Sequence, residues 1–287
     1  MRFHRSILFA TTLVCAAAVP ARAELKLPRV SQNASVSQTI GTTELAIRYS
    51  RPGVKGRTIW GALVPWGKPW RTGANELTSF TTSDAITVEG QPLPAGTYGV
   101  VTIPGTEQWT VAFSKQKELW GAFAYDSTQD QLRVVVKPHS SEPTEWMQFT
   151  FDVTSPDACE LALRWEKLRV AARIGVDVRA QVMRDARAAV AAAEPGDWKT
   201  LHRAASYAND NDLAPADAAA WASSALKVKE NFATLSLSAK LTQKAGHTRD
   251  ATAQLTRAIA LGKADKEVSA EQIAPMEKLL GEWAAKK

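Results

Sequence analysis

Cysteine is almost absent from this chain: its 287 residues include only Cys15 and Cys159. Cys15 falls in an N-terminal segment with the marks of a cleaved export signal, so a single thiol is left and no internal disulfide can form. The protein must then be held by its core. Histidine is scarce as well, and His139, His202 and His247 each lack a second ligand at metal spacing, so neither a metal nor any other cofactor is expected. The familiar catalytic spacings are missing: there is no G-x-S-x-G, H-E-x-x-H, C-x-x-C or G-x-G-x-x-G. Gly61 to Lys68 imitates a phosphate-binding loop, but it has one residue too many between its glycines, and Pro69 replaces the hydroxyl residue. No later stretch is apolar for long enough to span a bilayer.

The export signal itself is compact. Arg2 and Arg5 give a positive start, Ile7 to Val19 an apolar segment, and Ala21-Arg22-Ala23 a cleavage site. Cleavage after Ala23 predicts a periplasmic or secreted protein, and Val14 before Cys15 argues against a lipid anchor. Removing residues 1–23 takes away three arginines and leaves 32 basic against 29 acidic residues, a charge of +3. So mild a surplus, on an exported chain, argues against a nucleic-acid partner.

What remains has two grammars. From about Leu45 to Val176 apolar residues recur every second position, as in Leu45/Ile47/Tyr49, Trp109/Val111/Phe113, Leu132/Val134/Val136, Phe149/Phe151/Val153 and Leu161/Leu163/Trp165. Turn signals at Glu89-Gly90, Pro94-Ala95-Gly96 and Pro104-Gly105 separate the runs. Such alternation predicts an antiparallel β-sandwich or open barrel over residues 24–177. From Val178 to the end the chain is alanine-rich with helical spacing, predicting an all-α domain over 178–287. Helices are expected after Asp177 and Asp197, after Pro215, around Phe232–Lys244, around Arg249–Leu261, and through Met276 to Trp283. Ala218, Ala222 and Ala225 recur 33 residues later as Ala251, Leu255 and Ala258, which resembles a tetratricopeptide repeat without its complete signature.

Chemistry concentrates between Ser50 and Glu76. This stretch holds Trp60, Trp66 and Trp70 with Arg51, Lys55, Arg57, Lys68 and Arg71, and no acid interrupts it before Glu76. Its glycines and prolines predict shaped loops, where aromatic rings supply apolar area and cations supply direction. One or two of the tryptophans are expected in the core, because large indoles are mostly buried. Glu76 is the candidate acid or base, with Asp84, Asp126, Asp130, Glu142 or Glu145 as a second carboxylate. The competing structural role is a salt bridge to Arg51, Arg57 or Arg71. Cys159 is expected to be a small core hydrophobe.

The run Tyr49–Glu76 resembles the bacterial family known as domain of unknown function 2911. Leu93-Pro94-Ala95-Gly96-Thr97-Tyr98, Trp120-Gly121-Ala122-Phe123 and Leu163-Arg164-Trp165-Glu166-Lys167 share that resemblance. It covers roughly Leu27 to Val178 and implies an exported β domain, often followed by helical repeats. It brings no catalytic residues. The combined expectation is a non-enzymatic binding module. Arg57, Trp60, Trp66, Trp70, Arg71, Asn75 and Glu76 would receive a small polar or anionic ligand, with a cell-envelope glycan in view, while the helical half docks a protein partner. A cell-envelope hydrolase using Glu76 is the alternative.

Overall fold

A computed structural model describes residues 27–285. The expected export signal and its cleavage site therefore lie outside the described residues. Among the described residues, the first half forms ten antiparallel strands in two open sheets, and the second forms six helices. The strands are β1 (Gln32–Ile40), β2 (Thr43–Arg51), β3 (Thr78–Thr82), β4 (Ile86–Val88), β5 (Gln91–Leu93), β6 (Gly96–Ile103), β7 (Trp109–Ser114), β8 (Asp130–Val136), β9 (Pro138–Ser155) and β10 (Ala158–Gly175). One sheet has the order β1-β2-β3-β6-β7-β8 and the other β5-β4-β10-β9.

Strand alternation decides how the sheets meet. Leu45, Ile47 and Tyr49 of β2, Trp109 and Phe113 of β7, and Leu161, Leu163 and Trp165 of β10 join a single buried cluster, so the two inner faces pack on each other. Val153 breaks the expectation: it is exposed, beside the shift of register between Ala158 and Cys159. Cys159 is fully buried and free, and burial pushes its thiol up to about 11, as suits a core hydrophobe. Strand β1 is an edge strand held by nine paired positions of β2, and its alternating Ala34, Val36 and Ile40 turn towards the core.

The turns follow their residues. Glu89 and Gly90 both take positive φ (+49° and +75°) and close β4 onto β5 with two residues, the primed geometry that matches strand twist. A bulge at Glu166 (φ +55°) interrupts the β9–β10 register next to Trp165.

The helices are α1 (Val178–Ala191), α2 (Trp198–Asp210), α3 (Pro215–Val228), α4 (Phe232–Lys244), α5 (Thr248–Ala264) and α6 (Ala270–Ala285). Asp177 caps α1 through Ala180 N and Asp197 caps α2 through Thr200 N, while Pro215 occupies the first turn of α3, where its missing N–H costs nothing. A Ser269–Gln272 capping pair starts α6 ahead of Pro275, so the proline lies inside the helix. The 33-residue echo is structural: Ala218, Ala222 and Ala225 of α3 and Ala251, Leu255 and Ala258 of α5 are all buried. The partner helices α2 and α4 begin 34 residues apart, at Trp198 and Phe232, giving two stacked hairpins of repeat-like spacing.

Helix α1 leans on the end of the sandwich. Val178 packs against the β core, Thr43 donates to Gln181 Oε1 at 2.8 Å, and Arg184 pairs with Asp84 at 2.8 Å.

Candidate functional site

The loop from Pro52 to Leu77 links β2 to β3 and crosses one end of the sandwich. Trp70 fastens it to β6 through two backbone bonds with Thr102, at 2.8 and 2.9 Å. Thr72, next along, is fully buried with φ +54°, a conformation that a β-branched residue enters only under strain. The Thr72 hydroxyl lies 3.0 Å from Val100 O, and its carbonyl accepts from Thr78 Oγ1 at 2.7 Å. This bracing fixes the direction of the neighbouring Arg71.

Trp60, Trp70, Trp109 and Trp165 form one cluster, with ring centroids 5.0 to 6.4 Å apart. Trp70 stacks on Trp165 and donates its indole N–H to Gly73 O at 3.1 Å. Of the three tryptophans in the loop, Trp70 is thus core and Trp60 partly buried against the core. One or two core tryptophans were expected among the three, and Trp70 still edges a cavity. Trp66 remains 37 % exposed and stacks on Trp60.

Beneath this loop is a cavity of about 220 Å³ whose walls include Arg57, Arg71, Lys55, Leu63, Trp70 and Trp165. It is lined by three cations and no acid. Arg57 folds back, donating its Nε to Val54 O at 3.1 Å. Lys55 (φ +49°) places its ammonium 5.7 Å from the Trp146 ring, while its backbone N–H binds Glu145 at 2.9 Å. Arg71 forms no ion pair among the described residues, and burial lowers its pKa. Two buried donors of lining residues, Arg71 Nε and Trp165 Nε1, have no acceptor within the described protein. A half-buried unpaired guanidinium is costly unless something else supplies the counter-charge.

Asn75 and Glu76 face another way. Asn75 takes φ +57° and donates to Ser31 O at 3.2 Å. Glu76 pairs with Arg29 at 2.6 Å, both side chains being 47 % exposed. Its structural partner is therefore Arg29 and not Arg51, Arg57 or Arg71. The hydrogen bonds from Arg29 hold the carboxyl below its usual range. The shallow depression beside Glu76, lined also by Asn33, Arg48, Tyr49 and Ser50, contains no second carboxylate. Four of the other candidate acids are engaged elsewhere, and Glu142 is exposed on β9. Asp84 meets Arg184, Asp126 caps a short turn at Thr128, Asp130 binds Arg133 and Tyr125, and Glu145 accepts from Lys55 N.

The structure brings Arg57, Trp70 and Arg71 to one cavity and leaves Trp66, Asn75 and Glu76 outside its lining. It adds Lys55, Leu63 and Val30 to that lining, and Trp165 from β10, whose strand alternation marked it only as core. Among the described residues, no group of three His, Cys, Asp or Glu side chains is placed to hold a metal ion.

A family model described as a protein of unknown function, DUF2911, matches residues 31–174. No match was found among curated proteins or among solved structures.

Proposed function

The chain belongs to the DUF2911 family, and from that premise we propose that it is an exported, non-enzymatic binding protein whose β domain takes a small anionic ligand in the Arg71 cavity. The observation that carries this reading is the unpaired Arg71 guanidinium, joined by Arg57 and Lys55 in a cavity without an acid. An anion there would supply the missing counter-charge. The strained backbone at Lys55 and Thr72, beside these cations, supports the same assignment, since such strain collects at ligand sites. A phosphorylated or carboxylated envelope glycan fits the expected location.

The helical half offers a groove of about 650 Å³ between α1 and α2, floored by Val182, Ala186, Ala189 and Tyr207, which is the proposed seat of a protein partner. Hydrolysis by Glu76 has less in its favour. A general acid needs a raised pKa, and Arg29 lowers this one.

Thermal-shift and calorimetric titration with phosphate, sulfate and glucuronate test the anion site. Saturable stabilisation is expected, following RT ln(1 + [L]/Kd), or about 2.7 kcal/mol at one hundred times Kd. Arg71→Met should abolish it. Equal behaviour of the wild type and Arg71→Met with every anion would remove the site from this reading.

A further inference from the structure

The Arg71 cavity is smaller than the roughly 300–1,000 Å³ of sites that enclose a whole drug-sized ligand. It holds an anionic head, and the remainder of any larger ligand must lie across the rim. That rim is apolar. Val30 and Leu63 line the cavity and are exposed. Trp146 lies against Gly53 and under the Lys55 ammonium, and it too is exposed. Gly121 stands between the Phe123 ring and Arg71 Nη1, so the segment carrying Phe123, with Trp120 beside it in sequence, approaches the same guanidinium from outside the cavity lining.

Trp120 is 71 % exposed and Phe123 94 %, values that large aromatic side chains seldom show without a use for them. Their loop is well anchored. Leu119 and Tyr125 pack on the outer face of the six-stranded sheet against Leu77, Val101 and Ala112, and Leu77 N donates to Leu119 O at 2.9 Å. Gly121 N donates to Asn75 O at 3.3 Å, and the Tyr125 hydroxyl is held by Asp130 and Arg133. The fold partly buries the flanking residues of the loop and leaves its two aromatic rings exposed.

Exposed aromatic rings around a cationic centre form the pattern of a membrane-interface anchor, where rings sit at headgroup depth and cations meet lipid phosphates. We propose that this face docks on an anionic lipid surface, with the phosphate of a glycerophospholipid headgroup seated against Arg71, Arg57 and Lys55, and with Trp120, Phe123, Trp146, Leu63 and Val30 entering the interfacial layer. The charge favours a phosphate: the cavity lining holds three cations and no acid, the Glu145 carboxylate at its Gly53 edge being engaged by Lys55 N. This inference rests on the anion site proposed above.

The test runs two probes on the same proteins: inorganic phosphate in thermal shift, and flotation with vesicles of phosphatidylcholine alone or with roughly a third phosphatidylglycerol. Wild type should float with the anionic vesicles and stay behind with the neutral ones. Trp120→Ser/Phe123→Ser lies outside the cavity lining; it should lose at least tenfold in vesicle partitioning and keep the phosphate stabilisation. Arg71→Met should lose both. If phosphate stabilises the wild type while anionic vesicles fail to bind, or bind the double variant equally, the lipid surface is refuted and the anion site stands. If neither probe binds, both readings fall. Equal flotation with neutral vesicles, or protection of the rim by an envelope protein and not by vesicles, also overturns the lipid assignment.

Discussion

Replacing Gly41 with alanine tests whether α1 is truly seated on the sandwich. Gly41 turns β1 into β2 at φ +59°, and a Cβ built there would come within 2.5 Å of Val178 Cγ2 and 2.8 Å of Cγ1. Two costs follow. Left-handed backbone costs alanine about 1–2 kcal/mol. Forcing a methyl into Val178 costs about 1–3 kcal/mol more, because packed interiors yield little. Urea unfolding should therefore show a loss of about 2–5 kcal/mol in Gly41→Ala, with a melting point lower by the order of 10 °C. The two costs separate in a double-mutant cycle. Val178→Ala removes the clashing methyls but leaves φ unchanged, so the pair should show a favourable coupling of about 1 kcal/mol or more. Only the backbone cost in Gly41→Ala, with no coupling to Val178, would mean that α1 stands away from the sandwich in solution. The Thr43–Gln181 and Arg184–Asp84 contacts would then have to be abandoned as well.

Three further outcomes follow from the packing and the charges. Asp152 is raised by its partial burial, but hydrogen bonds from Arg164 and Arg169 outweigh this and bring its pKa to about 2. Since the folded value lies below the unfolded one near 3.9, its contribution is whole above about pH 4 and fades as pH falls towards 2. Asp152→Asn should flatten the dependence of melting temperature on pH in that window, and an unchanged slope would show the carboxylate to be unpaired. Trp165→Ala, in the centre of the indole cluster, should cost about 3–5 kcal/mol in chemical denaturation, while Trp66→Ala should cost under about 1 kcal/mol; equal losses would contradict the division between core and surface indoles. The exposed Arg29–Glu76 pair should give a coupling of about 0–1 kcal/mol that salt screens away. A coupling of several kcal/mol at high salt would mean the pair is closed from solvent.

The architecture was largely legible because it follows from burial. Period-two runs such as Leu45/Ile47/Tyr49 mark strands with one face inward, and those three residues are in the core. The helices were equally plain, with Asp197 capping α2 and the alanine echo locating α3 and α5. Strand β1 was not legible. Its inward positions, Ala34, Val36, Gln38 and Ile40, include a small and a polar residue, so its alternation is weak, and its place at the edge is fixed by pairing with β2. The full reach of β9 and β10 escaped for a related reason. Each runs 18 residues, through shifts of register near Cys159 and Glu166 that reset the alternation.

The site was legible as a segment and not as a surface. Composition singled out the residues between Ser50 and Glu76, since clustered indoles and uninterrupted cations need no geometry to be seen. Which of them share a cavity depends on direction, and direction is set by single φ values at Lys55, Thr72 and Asn75 that no residue pattern encodes. Thr72 is the clearest case. Its side chain gives no turn signal, yet its strained backbone separates Arg71, which lines the cavity, from Asn75 and Glu76, which meet Ser31 and Arg29 outside its lining. The rim came from still farther away. Trp146 arrives on β9 and Phe123 on a loop anchored by Leu119 and Tyr125, each brought to the cations by sheet order alone. The proposed anion site, read from one segment, would therefore gain its specificity from side chains that only the assembled sandwich places beside it, and a ligand larger than an anion would meet these exposed rings.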